Sequence, residues 1–172
     1  MSEESEIVDL DQCPIKPAIV TGGGIAFLLT LFPMSVVLCC LPLVLGGFAA
    51  TTAFIFKYRV RLELKFGMKV AILACMAGFG ASTLLYDALW LGFDYRIGME
   101  LQIDFLRQMQ EASPDESTRE QFEKGIEEMR NQTFGFGTIV SQTVTILICS
   151  GIGGAIGGAL ATAMFKKGPL AQ

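Results

Sequence analysis

Histidine is absent from this sequence of 172 residues, and long stretches carry no charge at all. Without histidine, the chain lacks the commonest general base and the commonest nitrogen ligand of zinc. No charged residue occurs from Pro17 to Phe56 or from Asn131 to Phe165, and Asp87 is the only one from Val70 to Phe93. These uncharged runs exclude an ordinary soluble fold, in which about a quarter of the residues are charged.

The apolar runs predict four membrane-spanning helices. A hydrocarbon core about 30 Å thick needs about 20 residues of helix per crossing, and backbone groups in lipid must bond within their own segment. The first run is long enough for two crossings, with Pro33 ending the first helix. We therefore predict an all-α, four-span transmembrane helical bundle with spans at about 18–32, 38–56, 70–93 and 138–165.

The spans belong to a single membrane domain over residues 17–167. Residues 1–16 contain five acids and one base, so we expect an acidic disordered tail there. Residues 96–130, between the third and fourth spans, form an amphipathic helical segment. Its first apolar face repeats every four residues and is widened by neighbours: Ile97, Leu101, Phe105 and Met109, with Met99, Ile103 and Leu106.

A second helix in this segment is predicted to start at Ser113–Glu116, read as Ser-Pro-Asp-Glu. Serine at the N-cap, proline at the first helical position and glutamate at the third form a capping box. The fold prediction therefore includes an extramembrane amphipathic αα-hairpin between spans three and four. A lid over the bundle, a helix along the membrane interface and a partner surface all remain open for this hairpin.

The basic residues predict the orientation in the membrane. Five of them lie between spans two and three, and two more follow span four: Lys57, Arg59, Arg61, Lys65, Lys69, Lys166 and Lys167. The positive-inside rule places this side and both termini in the cytoplasm. The predicted localisation is the inner cell membrane of a bacterium, multi-pass. The alternating pattern of residues 57–65 fits either a basic helix end or a short strand or anionic-lipid patch.

Glycine supplies the most specific pattern. Small residues four apart let helix backbones approach closely in lipid, and such rows occur in spans three and four. We predict helix packing through five glycines: Gly78, Gly153, Gly154, Gly157 and Gly158. The spacing does not distinguish contacts within one chain from contacts between chains; we favour packing of spans one, three and four within the chain.

Two features raise the question of chemistry. Asp87 is the only acid in a predicted span, and it is either an interfacial residue beside Trp90 or a proton or cation site. Cys39 and Cys40 are adjacent, so on a helix they point about 100° apart and suit one metal ion poorly. We interpret them as packing residues near a turn, with a redox pair as the alternative. No catalytic, cofactor-binding or metal-ligating residue is predicted.

The layout also resembles a known family. The resemblance depends on a Gly-Gly pair in the first span, the paired cysteines, Phe66-Gly67-Met68-Lys69 and the final GGAIGGALATAMFKK. Over residues 17–167 these features resemble the DUF4199-like family of small bacterial multi-pass membrane proteins of unknown function. The resemblance implies a four-helix membrane protein without an assigned activity, so it assigns no functional residues.

Together these observations predict an integral membrane protein that is not an enzyme. The expected function is a structural or accessory scaffold acting through helix packing or partner binding. The expected partners are the lipid bilayer and either a second copy or another membrane protein, and the net charge of −4 indicates no nucleic acid. The alternative is a small transporter or channel subunit that uses Asp87 and the glycine-lined helices.

Overall fold

The computed structural model describes residues 13–31, 41–96 and 98–165 and the backbone of 170–171. These residues form six helices and one short strand pairing: α1 (Lys16–Leu31), α2 (Leu41–Tyr58), β1 (Arg61–Leu62), α3 (Leu64–Phe93), α4 (Met99–Ala112), α5 (Glu116–Asn131), α6 (Phe136–Met164) and β2 (Leu170–Ala171). The predicted all-α class is confirmed. The turn at Pro33, Cys39 and Cys40, Lys166 and Lys167, and residues 1–12 of the predicted tail lie outside the described residues.

Four helices, α1, α2, α3 and α6, pack into a bundle. Tyr58 donates a hydrogen bond to the carbonyl of Pro14 at 3.0 Å at one end. Tyr86 donates to the carbonyl of Thr30 at 2.9 Å toward the other. α1 and α3 therefore run in one direction, and α2 and α6 run in the other. α2 and α3 form the centre, since each contacts the three other helices, and α1 and α6 flank them.

Three helices in the described part of the chain, α2, α3 and α6, are long and apolar enough to cross a membrane. α1 is apolar but has 16 residues, which span roughly 24 Å at 1.5 Å per residue. α3 has 30 residues and α6 has 29, so both are longer than one crossing. Their excess length extends past the end of α1, where Leu91 and Phe136 are 65% and 81% exposed.

Local chemistry explains where these helices begin and end. Pro42 is the second residue of α2, where its missing N–H removes no intrahelical hydrogen bond. α3 ends at Phe93 because Asp94 adopts a left-handed conformation, with φ of 51°, and its N–H bonds the carbonyls of Leu89 and Trp90.

Residues 57–65, whose alternating pattern fitted either a basic helix end or a short strand, contain both. Helix α2 continues to Tyr58, and Arg59, with φ of 52°, turns the chain into β1. β1 pairs in parallel with β2, which brings residues 170–171 to this end of the bundle. α3 already begins at Leu64, so Lys65 and Lys69 lie on its first turns.

A hydrophobic cluster fills the bundle at this basic end. Phe54, Val60 and Val70 are fully buried there, and Cys13 is 8% exposed. The ring of Phe54 lies 4.8 Å from that of Tyr58 and 5.6 Å from that of Phe66. We call these three rings the aromatic cluster: Phe54, Tyr58 and Phe66. They hold the end of α2 against the start of α3.

α4 packs mainly against α5, where Ile103 is fully buried. The predicted N-cap of α5 at Ser113 is wrong, since α5 begins at Glu116 with Asp115 at its N-cap. Ser113 instead ends α4, and its carbonyl accepts a hydrogen bond from Arg119 at 2.8 Å. Hydroxyls of Ser117 and Thr118 donate to the carboxylate of Asp115 and hold the pKa of this exposed group below its usual value.

Candidate functional site

Two of the predicted packing glycines on α6 face α3. A Cβ atom on Gly154 would lie 2.8 Å from the Cα of Ile72. A Cβ atom on Gly158 would lie 2.7 Å from the carbonyl oxygen of Gly67. Real side-chain carbons are not found so close to backbone atoms. The backbones of α6 and α3 are therefore in direct contact, as small-residue rows permit in lipid.

Gly157 lies on another face of α6 and contacts α2. Its Cβ atom would collide with the carbonyl oxygen of Val44 and lie 2.7 Å from the nitrogen of Phe48. Gly47 of α2 contributes from the opposite side, because a Cβ atom there would lie 3.1 Å from the Cα of Gly154. Gly153 is buried on the same helix.

Gly78 forms the contact between α3 and α1. A Cβ atom on Gly78 would collide with the carbonyl oxygen of Gly23 and lie 2.9 Å from the Cβ of Ala26. Gly46 of α2 also faces α1, since its Cβ atom would lie 2.7 Å from that of Ala26. All four bundle helices thus meet through glycine or alanine, at contacts that are spread along α3 from Gly67 to Gly78, roughly 16 Å at 1.5 Å per residue. We call the glycines that make these contacts the glycine layer: Gly22, Gly23, Gly46, Gly47, Gly78, Gly154, Gly157 and Gly158.

Asp87 lies outside the glycine layer, near the C-terminal end of α3. The side-chain amide of Gln142 on α6 donates to its carboxylate at 2.9 Å, and both side chains are half-buried. This hydrogen bond links α3 to α6 without a second charged residue. Trp90, one helical turn further on, packs edge-on against Phe134 with ring centroids 5.4 Å apart.

A second set of polar contacts joins α1 to α3 near Asp87. The hydroxyl of Thr30 donates to that of Ser82 at 3.0 Å, and both residues are buried. The Tyr86–Thr30 hydrogen bond adds to this contact. Hydrogen bonds between membrane helices each contribute about 0.6–2 kcal/mol. They fix the end of α1 against α3 and offer no nucleophile and base.

Arg96 connects the α4–α5 pair to the end of the bundle. Its guanidinium donates to the carbonyls of Met129 and Gln132 at 2.9 and 2.6 Å. It also lies over the ring of Trp90, 4.3 Å from the ring centroid. A planar, always charged group can make both kinds of contact at once. The C-terminal end of α5 is thereby held at the level of Trp90.

The described cysteines do not form a metal or redox centre with other residues. Cys13, Cys75 and Cys149 are free, and the thiol of Cys75 donates to the carbonyl of Leu43 at 3.0 Å. Within the described ranges, no three residues among histidine, cysteine, aspartate and glutamate are placed to hold a metal ion. The interpretation of Cys39 and Cys40 stays a prediction, since both lie outside these ranges.

Sequence reasoning missed several residues of this region. Gly46 and Gly47 were visible as a pair inside an apolar run, and Ala50 and Thr51 follow them at the four-residue spacing that identified the glycines of α6. Gln142 was missed because only charged residues were considered as partners for Asp87. The role of Arg96 could not be read from the sequence, since the two carbonyls that accept its hydrogen bonds belong to residues more than thirty positions away.

Comparison with known proteins gives no match to a family model, to a curated protein or to a solved structure. The resemblance to the DUF4199-like family therefore stays an expectation. The function has to be argued from the geometry of the helices.

Proposed function

We propose that this chain is a four-span integral membrane protein that acts as a structural or accessory scaffold, not as an enzyme, and binds a second copy or another membrane protein. The observation that carries the proposal is the glycine layer. The backbones of neighbouring helices are in direct contact through these glycines, which supports a closely packed bundle over a water-filled pore. The DUF4199-like resemblance implies a four-helix membrane protein and assigns no activity.

The position in the membrane follows from α3. Lys69 and Trp90 are separated along this helix by roughly 32 Å at 1.5 Å per residue, close to the thickness of a hydrocarbon core, about 30 Å. Asp87 then lies within one turn of the interface marked by Trp90. α1 contributes the fourth span, because it packs along α2 and α3 through the glycine layer and a mismatch of a few Å costs little.

The basic end of the bundle faces the cytoplasm in this proposal. Lys57, Arg59, Arg61, Lys65 and Lys69 are exposed there. The start of α1 and residues 170–171 lie at the same end, so both termini are cytoplasmic. The α4–α5 pair follows from the opposite end of α3 and forms the extramembrane hairpin on the outer side. The membrane is the inner cell membrane of a bacterium.

Cysteine labelling tests this orientation. Single cysteines replace Lys65 and Glu120, two exposed residues, in a variant without the five native cysteines. We expect a membrane-impermeant maleimide to label Glu120→Cys on intact spheroplasts and to label Lys65→Cys only after the membrane is permeabilised. The reverse pattern would overturn the orientation, and equal labelling of both sites on intact spheroplasts would overturn the membrane arrangement itself.

The rival function, a small transporter or channel subunit, depends on Asp87. This residue is the single acid in the spans and is half-buried beside Gln142, and intramembrane acids often mark ion pathways. Against this role, its carboxylate lies near one interface, and the helices pack closely through the glycine layer between it and the basic end.

Ion flux into liposomes distinguishes the two functions. We expect the purified protein to carry no proton or potassium flux above that of protein-free liposomes, because the helices pack closely through the glycine layer. Asp87→Asn, which keeps an acceptor for Gln142, should behave the same way. A flux carried by the wild type and lost in Asp87→Asn would reject the scaffold proposal and favour the transporter.

A further inference from the structure

The apolar face of α4 is divided into two parts by its contact with α5. Ile103 is fully buried and Leu106 is half-buried. The remaining apolar residues leave an exposed stripe along the other side of the helix. Leu101, Phe105 and Met109 form this α4 stripe and are 42%, 39% and 43% exposed.

The four charged side chains of α4 lie together on one side of the helix, where Asp104 borders the stripe at Leu101, three residues before it: Glu100, Asp104, Arg107 and Glu111. At about 100° per residue, Asp104 lies roughly a quarter turn from Phe105, and Arg107 lies nearly opposite it. Asp104 and Arg107 pair with each other at 3.7 Å. α4 therefore has three faces: one against α5, one charged and one apolar. A helix with separate apolar and charged faces is typical of a helix lying at a membrane interface.

The α4 stripe follows closely in the chain on exposed apolar residues at the end of α3. Leu91 and Phe93, at the end of α3, are 65% and 79% exposed, and Tyr95 is 61% exposed. α4 begins at Met99, a few residues further along the chain. Arg96 holds the end of α5 at Trp90 through its two carbonyl contacts. Both ends of the hairpin are thus anchored at the level of the interfacial tryptophan.

A second copy of the chain is less suited than lipid to cover the α4 stripe. A stable protein interface buries about 800 Å² on each partner, which is far more than three side chains that are each about two-fifths exposed can offer. The other exposed face of the pair carries more acids than bases, with Glu120, Glu123 and Glu127 around Lys124 on α5, so identical copies would tend to repel each other there.

We propose that the α4 stripe inserts into the bilayer interface on the Trp90 side, so that the α4–α5 hairpin lies along the membrane surface and binds lipid through Leu101, Phe105 and Met109. Interfacial helices bury their apolar face about 5–10 Å into the boundary between headgroups and acyl chains. This inference rests on the proposed membrane position of α3. It makes the hairpin a lipid-binding surface, with the acidic face of α5 directed toward water.

Tryptophan fluorescence in nanodiscs tests the insertion. Trp90 is the one native tryptophan, so Trp90→Phe, which keeps an aromatic ring for Arg96 and Phe134, gives a background for single reporters. Phe105→Trp reports on the stripe, and Arg107→Trp on the charged face of the same helix. Ile148→Trp reports on the lipid-facing side of α6, where Ile148 is 55% exposed.

The nanodiscs contain phosphatidylcholine brominated either near the headgroup or deep in the acyl chain, and acrylamide is the aqueous quencher. We expect Phe105→Trp to emit further to the blue than Arg107→Trp, to be quenched more by the shallow bromines than by the deep ones, and to be protected from acrylamide. Leu101→Trp and Met109→Trp should repeat this behaviour, so the test does not depend on one variant folding.

The other possible outcomes separate a failure of the proposed insertion from a failure of the proposed membrane embedding. If Phe105→Trp matches Arg107→Trp while deep bromines quench Ile148→Trp, the stripe lies in water and this inference alone is overturned. Protection of Phe105→Trp from both quenchers places protein over the stripe and also overturns it. If no brominated lipid quenches Ile148→Trp, the proposed membrane embedding fails as well.

Discussion

Gly157→Ala is expected to destabilise the bundle, although it adds a single methyl group. The new Cβ atom would collide with the carbonyl oxygen of Val44 and lie 2.7 Å from the nitrogen of Phe48. Both are backbone atoms, so α2 and α6 must move apart, and overpacking of this kind costs about 1–3 kcal/mol. Gly157→Leu should cost more. Thermal unfolding in detergent, followed by circular dichroism, measures the loss.

Gly151→Ala is the matched control on the same helix. A Cβ atom on Gly151 meets nothing within 4 Å, and alanine favours a helix over glycine by about 0.5–1 kcal/mol. We therefore expect Gly151→Ala to be neutral or stabilising, opposite in sign to Gly157→Ala. Equal stability of the two variants would contradict the close packing of the glycine layer. If Gly157→Ala loses an oligomer with no change in monomer stability, the glycine contact lies between two chains and not within one.

The spacing of the α6 glycines was readable from the sequence, but their neighbours were not. Gly154 and Gly158 are four residues apart and both contact α3, whereas Gly157 contacts α2. A spacing of four residues identifies one helix face. It carries no information on which other helix lies against that face, because helix rotation and neighbour choice are set by the whole bundle. The sequence prediction therefore grouped spans one, three and four and left out α2.

The α4 helix shows a similar limit. Its apolar residues were read as one broad face, and the pattern correctly indicates an amphipathic helix. In the structure Ile103 is fully buried and Phe105 is 39% exposed, and α5 is the helix that α4 mainly contacts. The periodicity gives the width of an apolar face. It does not show how much of that width a neighbouring helix covers, because α5 approaches from one side only.

Phe54→Ala is expected to have the largest effect of any truncation at the basic end of the bundle. Phe54 is fully buried, and its ring packs against those of Tyr58 and Phe66. Removing a buried phenylalanine side chain leaves a cavity and costs about 3–5 kcal/mol. The same detergent unfolding assay measures this loss. Phe54→Leu, which fills more of the space, should be intermediate.

Phe56→Ala, two residues away on α2, is the control. Phe56 is 63% exposed and contacts the ring of Phe165 with centroids 5.0 Å apart, so its removal should cost about 1 kcal/mol or less. Equal losses from the two variants would show that the aromatic cluster is not tightly packed.

The cavity left by Phe54→Ala also tests the scaffold proposal. Gly47 lies seven residues before Phe54 on α2, about two helical turns or roughly 10 Å away, so this part of the glycine layer should stay packed, although Gly158 contacts Gly67 beside Phe66. We therefore expect liposomes containing Phe54→Ala to stay as tight to potassium as those with wild type. A potassium flux that appears in Phe54→Ala and not in Phe56→Ala would identify the aromatic cluster as the gate of a pore. The glycine layer would then be a contact that opens, and the channel function would replace the scaffold.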